Sequence, residues 1–246
     1  MSLVRDPDDH ALLGGLTAPF LAVEAPEWTG ATGFPIHEEA TLCRPAHSSS
    51  KRLLDIAVAA MTIVVIAPLL SVICIAIKTT SEGPILFRQK RYGLNNHLFD
   101  VYKFRTMYVD QSDPSGVRQT RAGDERVTAL GSFLRRFNLD ELPQLFNILK
   151  GDMSLVGPRP HVPGMLAAGM LYESLVPNYF ERHRTKPGMT GLAQALGYRG
   201  STDDAELATS RVKMDLLYIE TWSFALDLMI IAKTVWYEIK HRGSGI

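Results

Sequence analysis

A mainly helical α+β chain attached to a membrane is what the sequence predicts, on three observations. Residues 56–77 form a run of 22 positions without a charge, which matches the ~20 apolar residues needed to cross a bilayer core. Elsewhere the dominant pattern is helical, with helices expected over 128–136, 141–149, 164–175, 177–184, 205–220 and 223–240. Strand signals are confined to 85–87 and 98–103, separated by turn residues at 93–96.

Residues 1–50 mix Pro, Gly, Ala, Thr and Glu without sustained periodicity and end in Ser48, Ser49 and Ser50, the composition of a disordered tail. The tail holds seven acidic and two basic residues of a chain with zero formal charge, leaving 24 basic against 19 acidic residues from 51 onward. That mild excess suits lipid head groups and a phosphorylated substrate, and is far too weak to argue for a nucleic-acid partner. Cys43 and Cys74 are the only cysteines, so neither a disulfide framework nor a zinc site is implied.

Residues 51–80 form the membrane-embedded element. Pro68, after Ala67, lies past the middle of the apolar run, where it removes a helical hydrogen bond and forces a bend. Lys51 and Arg52 precede the run, and Lys78, Arg88, Lys90 and Arg91 follow it. A helix that turns at Ala67 and Pro68 and leaves on the side it entered keeps both basic clusters cytoplasmic, whereas a straight crossing exports one of them. A single span with a tolerated proline kink is the alternative. Fifty preceding residues argue against a secretory signal. Lys51, Arg52 and Asp55 are expected to anchor the element at the interface.

Beyond a polar loop over 110–124, the most informative stretch is RRFNLDELPQLFNILKGDMSLVGPRP, residues 135–160. Leu142, Leu145, Phe146 and Leu149 recur at helical spacing and Gly151 is a stop signal, with Asn138 or Asp140 as N-cap. Asp140 and Glu141 then fall in a first turn, where the helix dipole favours an ionised carboxylate able to act as nucleophile or metal ligand. Plain capping is the competing role for such a pair. Arg159, between Pro158 and Pro160, offers a guanidinium fork for a phosphate on a loop stiffened by proline.

The motifs KRLLD at 51–55, ILFRQKRYG at 85–93, FDVYKFRTM at 99–107, LDELPQLFNILKGDMSLVGPRP at 139–160, KPGMTGLAQ at 186–194 and FALDL at 224–228 occur in an order that resembles the bacterial sugar transferases. These are monotopic phosphoglycosyl transferases that move a sugar phosphate from a nucleotide sugar to a polyprenyl phosphate, and the form PRPHVPGM is similar to members that prime exopolysaccharide assembly. The resemblance covers 51 to about 240. It implies a re-entrant membrane helix and a compact catalytic domain over 81–246 on the cytoplasmic face of the inner membrane. It also implies a UDP-sugar donor (UDP-galactose or UDP-glucose), undecaprenyl phosphate as acceptor and Mg²⁺ as cofactor, and it allows a homo-oligomer.

By the same resemblance Asp140 is the nucleophile that attacks the β-phosphate, expelling UMP and forming a covalent phosphosugar intermediate, while Glu141 binds the metal with it. Arg159, Arg135, Arg199, Lys103 and Arg105 become candidate phosphate ligands, and Gln194 a residue of the nucleotide pocket. Structural ion pairing competes for Lys103 and Arg105, and turn capping for Gln194. The spacing near Tyr198 departs from the family by one residue, which weakens the carry-over to Arg199. Arg136 is expected to face solvent and Asp227 to have a structural partner. Ala67 replaces the serine often found before the bending proline, leaving Thr62, Ser71 or water to satisfy the freed backbone. Trp222, Phe224, Trp236 and Tyr237 suit either a lipid boundary or core packing. A two-carboxylate glycosidase is disfavoured, because adjacent helical residues diverge by ~100° and cannot flank a bond. A non-catalytic membrane scaffold is the remaining alternative.

Overall fold

Ser48 opens the first long helix by accepting a hydrogen bond from the Lys51 amide at 3.2 Å; α1 then runs over Ser49–Thr80 with Pro68 inside it. The computed structural model describes residues 44–111, 113, 120 and 123–240, all within one compact unit. Residues 1–43 of the tail expected over 1–50, and most of the expected loop over 110–124, lie outside the described residues; the rest of that expected tail is not disordered but largely helical. A four-residue helical turn, Arg44–His47, precedes α1.

Helix α1 has 32 residues and a mean hydropathy of 2.7 in its apolar window, long and apolar enough to cross a membrane. Its two faces differ. Ala59, Ile73 and Ile77 are buried, whereas Leu53, Met61, Val64, Val65, Val72 and Ile75 are each at least 62% exposed. The first half packs on Val101, Leu145, Ile148 and Met153, the second on Phe104 and Leu134. Both halves therefore rest on the same unit, and the exposed side forms an apolar stripe too large for water to favour.

Polar latches fix α1 to that unit. Lys51 Nζ donates to Asp227 Oδ2 at 2.6 Å and to the Tyr218 hydroxyl at 3.1 Å. Asp55 accepts from the Leu155 amide at 2.9 Å and from Ser154 Oγ at 3.1 Å. Arg52 donates to the carbonyls of Ile148 and Leu149 at 2.6 and 2.8 Å. The three charges expected at the lipid interface thus bind the domain instead. A buried charge needs a partner, and the structure supplies one that sequence proximity could not reveal. The structural partner expected for Asp227 is Lys51. Near Pro68, Ser71 Oγ donates to the Ala67 carbonyl at 3.0 Å, whereas the carbonyl that the proline leaves without its amide donor is that of Val64, one turn earlier.

A hairpin follows. β1 (Leu86–Tyr92) pairs antiparallel with β2 (Leu98–Phe104) from Leu86 opposite Phe104 to Tyr92 opposite Leu98. Its strands outrun the apolar signal because the charged stretch 88–92 pairs residue for residue with β2. Asn95 and Asn96, at φ 52° and 63°, make the turn, a conformation asparagine tolerates. α2 (Ala129–Arg136) is capped by Thr128, whose hydroxyl accepts from the Gly131 amide at 2.8 Å, and Arg136 is exposed.

The helix expected at 141–149 begins later. Asn138 takes a left-handed φ of 53°, Leu139–Glu141 form a single 3₁₀ turn, and α3 runs over Gln144–Lys150 after Pro143. Neither Asn138 nor Asp140 caps it with a side chain. The acid pair thereby occupies a tight turn ahead of the helix.

β3 (Ser154–Val156) pairs in parallel with β6 (Gly188–Thr190). Between them the helix expected over 164–175 is mostly replaced by a small hairpin, β4 (Leu166–Ala167) with β5 (Met170–Leu171), and only α4 (Tyr172–Leu175) is helical. Ala168 and Gly169 turn this hairpin at φ 49° and 78°, which helical spacing alone cannot anticipate. The expected helix at 177–184 is a 3₁₀ segment, Tyr179–Arg184. α5 (Leu192–Ala195), α6 (Ala205–Thr221) and α7 (Phe224–Lys240) complete the fold. Val156, Leu192, Tyr218, Ile219, Leu226 and Ile230 form the core that joins them.

Candidate active site

The tight turn before α3 buries Asp140 to 7% exposure. Strand β2 brings Lys103 to the neighbouring Glu141, with Nζ 2.7 Å from Oε1. From the other side Arg159 donates Nη2 to the same oxygen at 2.7 Å and Nη1 to Oε2 at 3.4 Å. Arg159 remains 41% exposed, so its guanidinium can also meet a ligand.

The two carboxylates are held differently. For Glu141, burial alone would raise the pKa, but Arg159 and Lys103 outweigh it and hold the group well below the usual carboxylate range. For Asp140, burial raises the pKa above the ordinary value; Lys103 opposes this and the charge of Glu141 adds to it. No side chain or amide among the described residues donates to the Asp140 carboxylate. The dipole-stabilised first-turn carboxylate expected from the sequence is therefore instead a desolvated one facing cations, with its oxygens uncommitted. Desolvation makes a carboxylate a stronger nucleophile once ionised.

Arg135 lies beside the pair. Its Nε donates to Thr106 Oγ1 at 2.8 Å, and Asp140 and Glu141 lie close enough to offset part of the lowering that burial imposes on its pKa. Arg91 belongs to the same basic cluster and was not singled out as a site residue by sequence reasoning. Burial, then the nearby Arg159 cation, pushes Arg91 down to about 10. Its position inside the ILFRQKRYG motif was the available signal. Lys103 is likewise lowered by burial, with Glu141 opposing.

The other expected site residues lie elsewhere. Arg105 closes the end of α1, donating to the carbonyls of Ser81 at 2.8 Å, Ile77 at 3.3 Å and Glu82. Arg105 thus makes a helix cap in place of an ion pair. Arg199 donates to Glu238 at 2.9 Å and to the Gln194 carbonyl at 3.0 Å, over the Tyr237 ring. Glu238 also accepts from Asn138 at 3.0 Å, which places Arg199 behind the turn that carries the acid pair. Gln194 Oε1 is buried without a hydrogen-bond partner among the described residues.

No group of three or more metal-binding side chains occurs among the described residues. The oxygen set still suits a hard divalent cation. Asp140 has uncommitted oxygens and Glu141 Oε2 is only weakly engaged, while Mg²⁺ typically takes one or two carboxylates and completes its shell with phosphates and water.

A buried carboxylate beside a second carboxylate that is paired with a guanidinium and an ammonium is an arrangement suited to phosphoryl transfer. Comparisons with known proteins agree. The family model for bacterial sugar transferases matches residues 46–241. The exopolysaccharide production protein PSS of Rhizobium leguminosarum bv. phaseoli is 50% identical over 195 residues, 79% of this chain and 97% of that protein. The undecaprenyl-phosphate glucose phosphotransferase of Komagataeibacter xylinus is 47% identical over 79% of this chain. The UDP-glucose:undecaprenyl-phosphate glucose-1-phosphate transferase of Klebsiella pneumoniae is 50% identical over 75% of it. The chain spans only 36% and 39% of the length of these last two relatives. Matched along most of its length, and to the Rhizobium protein almost end to end, the chain belongs to the bacterial sugar transferase family.

Proposed function

We propose that the protein transfers glucose 1-phosphate from UDP-glucose to undecaprenyl phosphate, releasing UMP, as the first membrane step of an exopolysaccharide pathway. The names of the relatives favour glucose over galactose. The observation that carries the chemistry is the buried Asp140 carboxylate next to Glu141, whose Oε1 takes both Lys103 Nζ and Arg159 Nη2 at 2.7 Å.

In the first step an Asp140 oxygen attacks the β-phosphorus. The bond from that phosphorus to the bridging oxygen breaks, UMP departs with the electron pair, and an aspartyl phosphosugar remains. In the second step an oxygen of the lipid phosphate attacks the same phosphorus and the Asp140 carboxylate leaves, giving a lipid-linked sugar diphosphate. Arg159 and Lys103 stabilise charge on the phosphoryl oxygens, and Glu141 keeps both cations aimed at the reacting centre. Asp140 and Glu141 would hold Mg²⁺, which neutralises phosphate charge when bound.

The membrane arrangement is a re-entrant one. A straight helix of 32 residues would be about 48 Å long, yet both of its halves pack on the same unit. A bend at Pro68 returns the chain to its side of origin and leaves the apolar stripe in lipid, with the catalytic unit on the cytoplasmic face of the inner membrane. Exposed Phe224 and Trp236 on α7 extend the same boundary.

The test is UMP release from UDP-glucose with polyprenyl phosphate and Mg²⁺, together with mass spectrometry for a phosphohexose adduct on peptide 139–150. Asp140→Asn should abolish both. Turnover that survives this substitution would overturn the assignment.

A further inference from the structure

Residues 158–161 belong to no helix or strand, yet each of their four consecutive carbonyls is taken by a separate donor. The Gly188 amide donates to Pro158 O at 2.9 Å, Arg182 Nη2 to Arg159 O at 2.8 Å, Arg91 Nη1 to Pro160 O at 2.6 Å and the Tyr92 amide to His161 O at 3.0 Å. A loop satisfied at every carbonyl has little freedom left, so the side chain that it presents is held in advance of binding.

Two of the four donors are side chains with supports of their own. Arg91 is steadied by Gln89 Oε1, which accepts from Nε at 3.1 Å and from Nη2 at 2.8 Å. Arg182 is 1% exposed, its guanidinium shared among Asp215, the ring of His161 at 2.7 Å and the carbonyl of Arg159. The Tyr179 hydroxyl meets the same His161 nitrogen at 2.9 Å. Fully burying an arginine is costly, and core packing alone gives no reason to aim one of its donors at the backbone of a residue whose side chain faces the acid pair.

We propose that Arg182, oriented by Asp215, is a positioning residue for the transfer reaction: it fixes the backbone of Arg159 so that the guanidinium of Arg159 meets the donor's phosphates in its productive orientation. This rests on the phosphoryl-transfer reading above and adds to it a residue 23 positions along the chain from the one it serves. Arg182 acts only through Arg159 and touches no reacting atom.

The experiment is a double-mutant cycle in the full chain, reading UMP release from UDP-glucose. Arg182→Lys keeps the cation beside Asp215 but loses the fork that reaches the Arg159 carbonyl. In the wild-type background kcat/KM should fall about tenfold, mostly through kcat; in the Arg159→Lys background the same change should cost less than twofold, since coupled residues are not additive. An equal fold-loss in both backgrounds would make Arg182 merely structural and overturn the proposal. If Arg182→Lys does not fold, Asp215→Asn takes its place in the cycle; if neither accumulates as folded protein, the pair belongs to the core alone and the proposal fails. Wild-type turnover in the same assay checks the transfer reading separately.

Discussion

Replacing Lys51 with methionine strips the counter-charge from Asp227, a carboxylate with no solvent exposure. Asp227 would keep the Tyr218 hydroxyl at 2.8 Å and the Trp222 indole N–H at 3.1 Å, but no cation. Breaking a buried pair on one side costs about 3–5 kcal/mol, and the two surviving hydrogen bonds put this case near the lower end, about 3 kcal/mol. For a unit of this size that corresponds to a fall in Tm of about 6–12 °C. Adding Asp227→Asn removes the stranded charge while keeping a group that can bond Tyr218 and Trp222, so the double variant should recover all but about 1 kcal/mol. Thermal unfolding in detergent micelles, followed by near-ultraviolet circular dichroism, reads both. A double variant as unstable as Lys51→Met, or a single variant within about 2 °C of wild type, would refute the reasoning.

Glu141→Gln should lower kcat about 100-fold by loosening Arg159 and Lys103, measured as UMP release. Attack requires ionised Asp140, and its folded-state pKa is raised, so activity should fall on acidification at a higher pH than for an ordinary aspartate. Glu141 stays ionised through that range because its pKa is lowered. Removing its charge in Glu141→Gln should move the acid limb of the pH–rate profile downward, and an unmoved limb would contradict the electrostatic picture. Arg105→Ala uncaps α1 and should cost about 2 kcal/mol in a melt while leaving KM for UDP-glucose unchanged. Gly188→Ala would put a methyl group 2.1 Å from the Gly157 amide nitrogen and 2.3 Å from the Thr190 carbonyl oxygen; with only backbone to yield, it should cost about 3 kcal/mol, seen as a lower Tm.

What the sequence disclosed was local. The acid pair, the arginine between prolines, the long apolar run and the helices α2, α6 and α7 could be read because spacing, caps and neighbouring residues carry those signals. The hairpin β1–β2 was legible at its turn but not in its length, since charged residues 88–92 become strand only by pairing with β2. The misread helix over 164–175 shows the reverse fault, helical spacing overruled by two consecutive left-handed residues. Lys51, Arg52 and Asp55 looked like interfacial charges because their partners lie roughly a hundred residues or more away. For the same reason Arg182 and Asp215 gave no sign of their link to Arg159: nothing near them in the chain records a contact made by folding.

Helix α1 supplies Ala59, Ile73 and Ile77 to the hydrophobic clusters under the β1–β2 hairpin and closes the buried ion pair at Lys51. A version cut after residue 80 in the hope of a water-soluble enzyme would lose a wall of its own interior along with its hold on lipid. The face that packs under the hairpin and the apolar stripe turned outward are opposite sides of one helix, so neither can be deleted without the other.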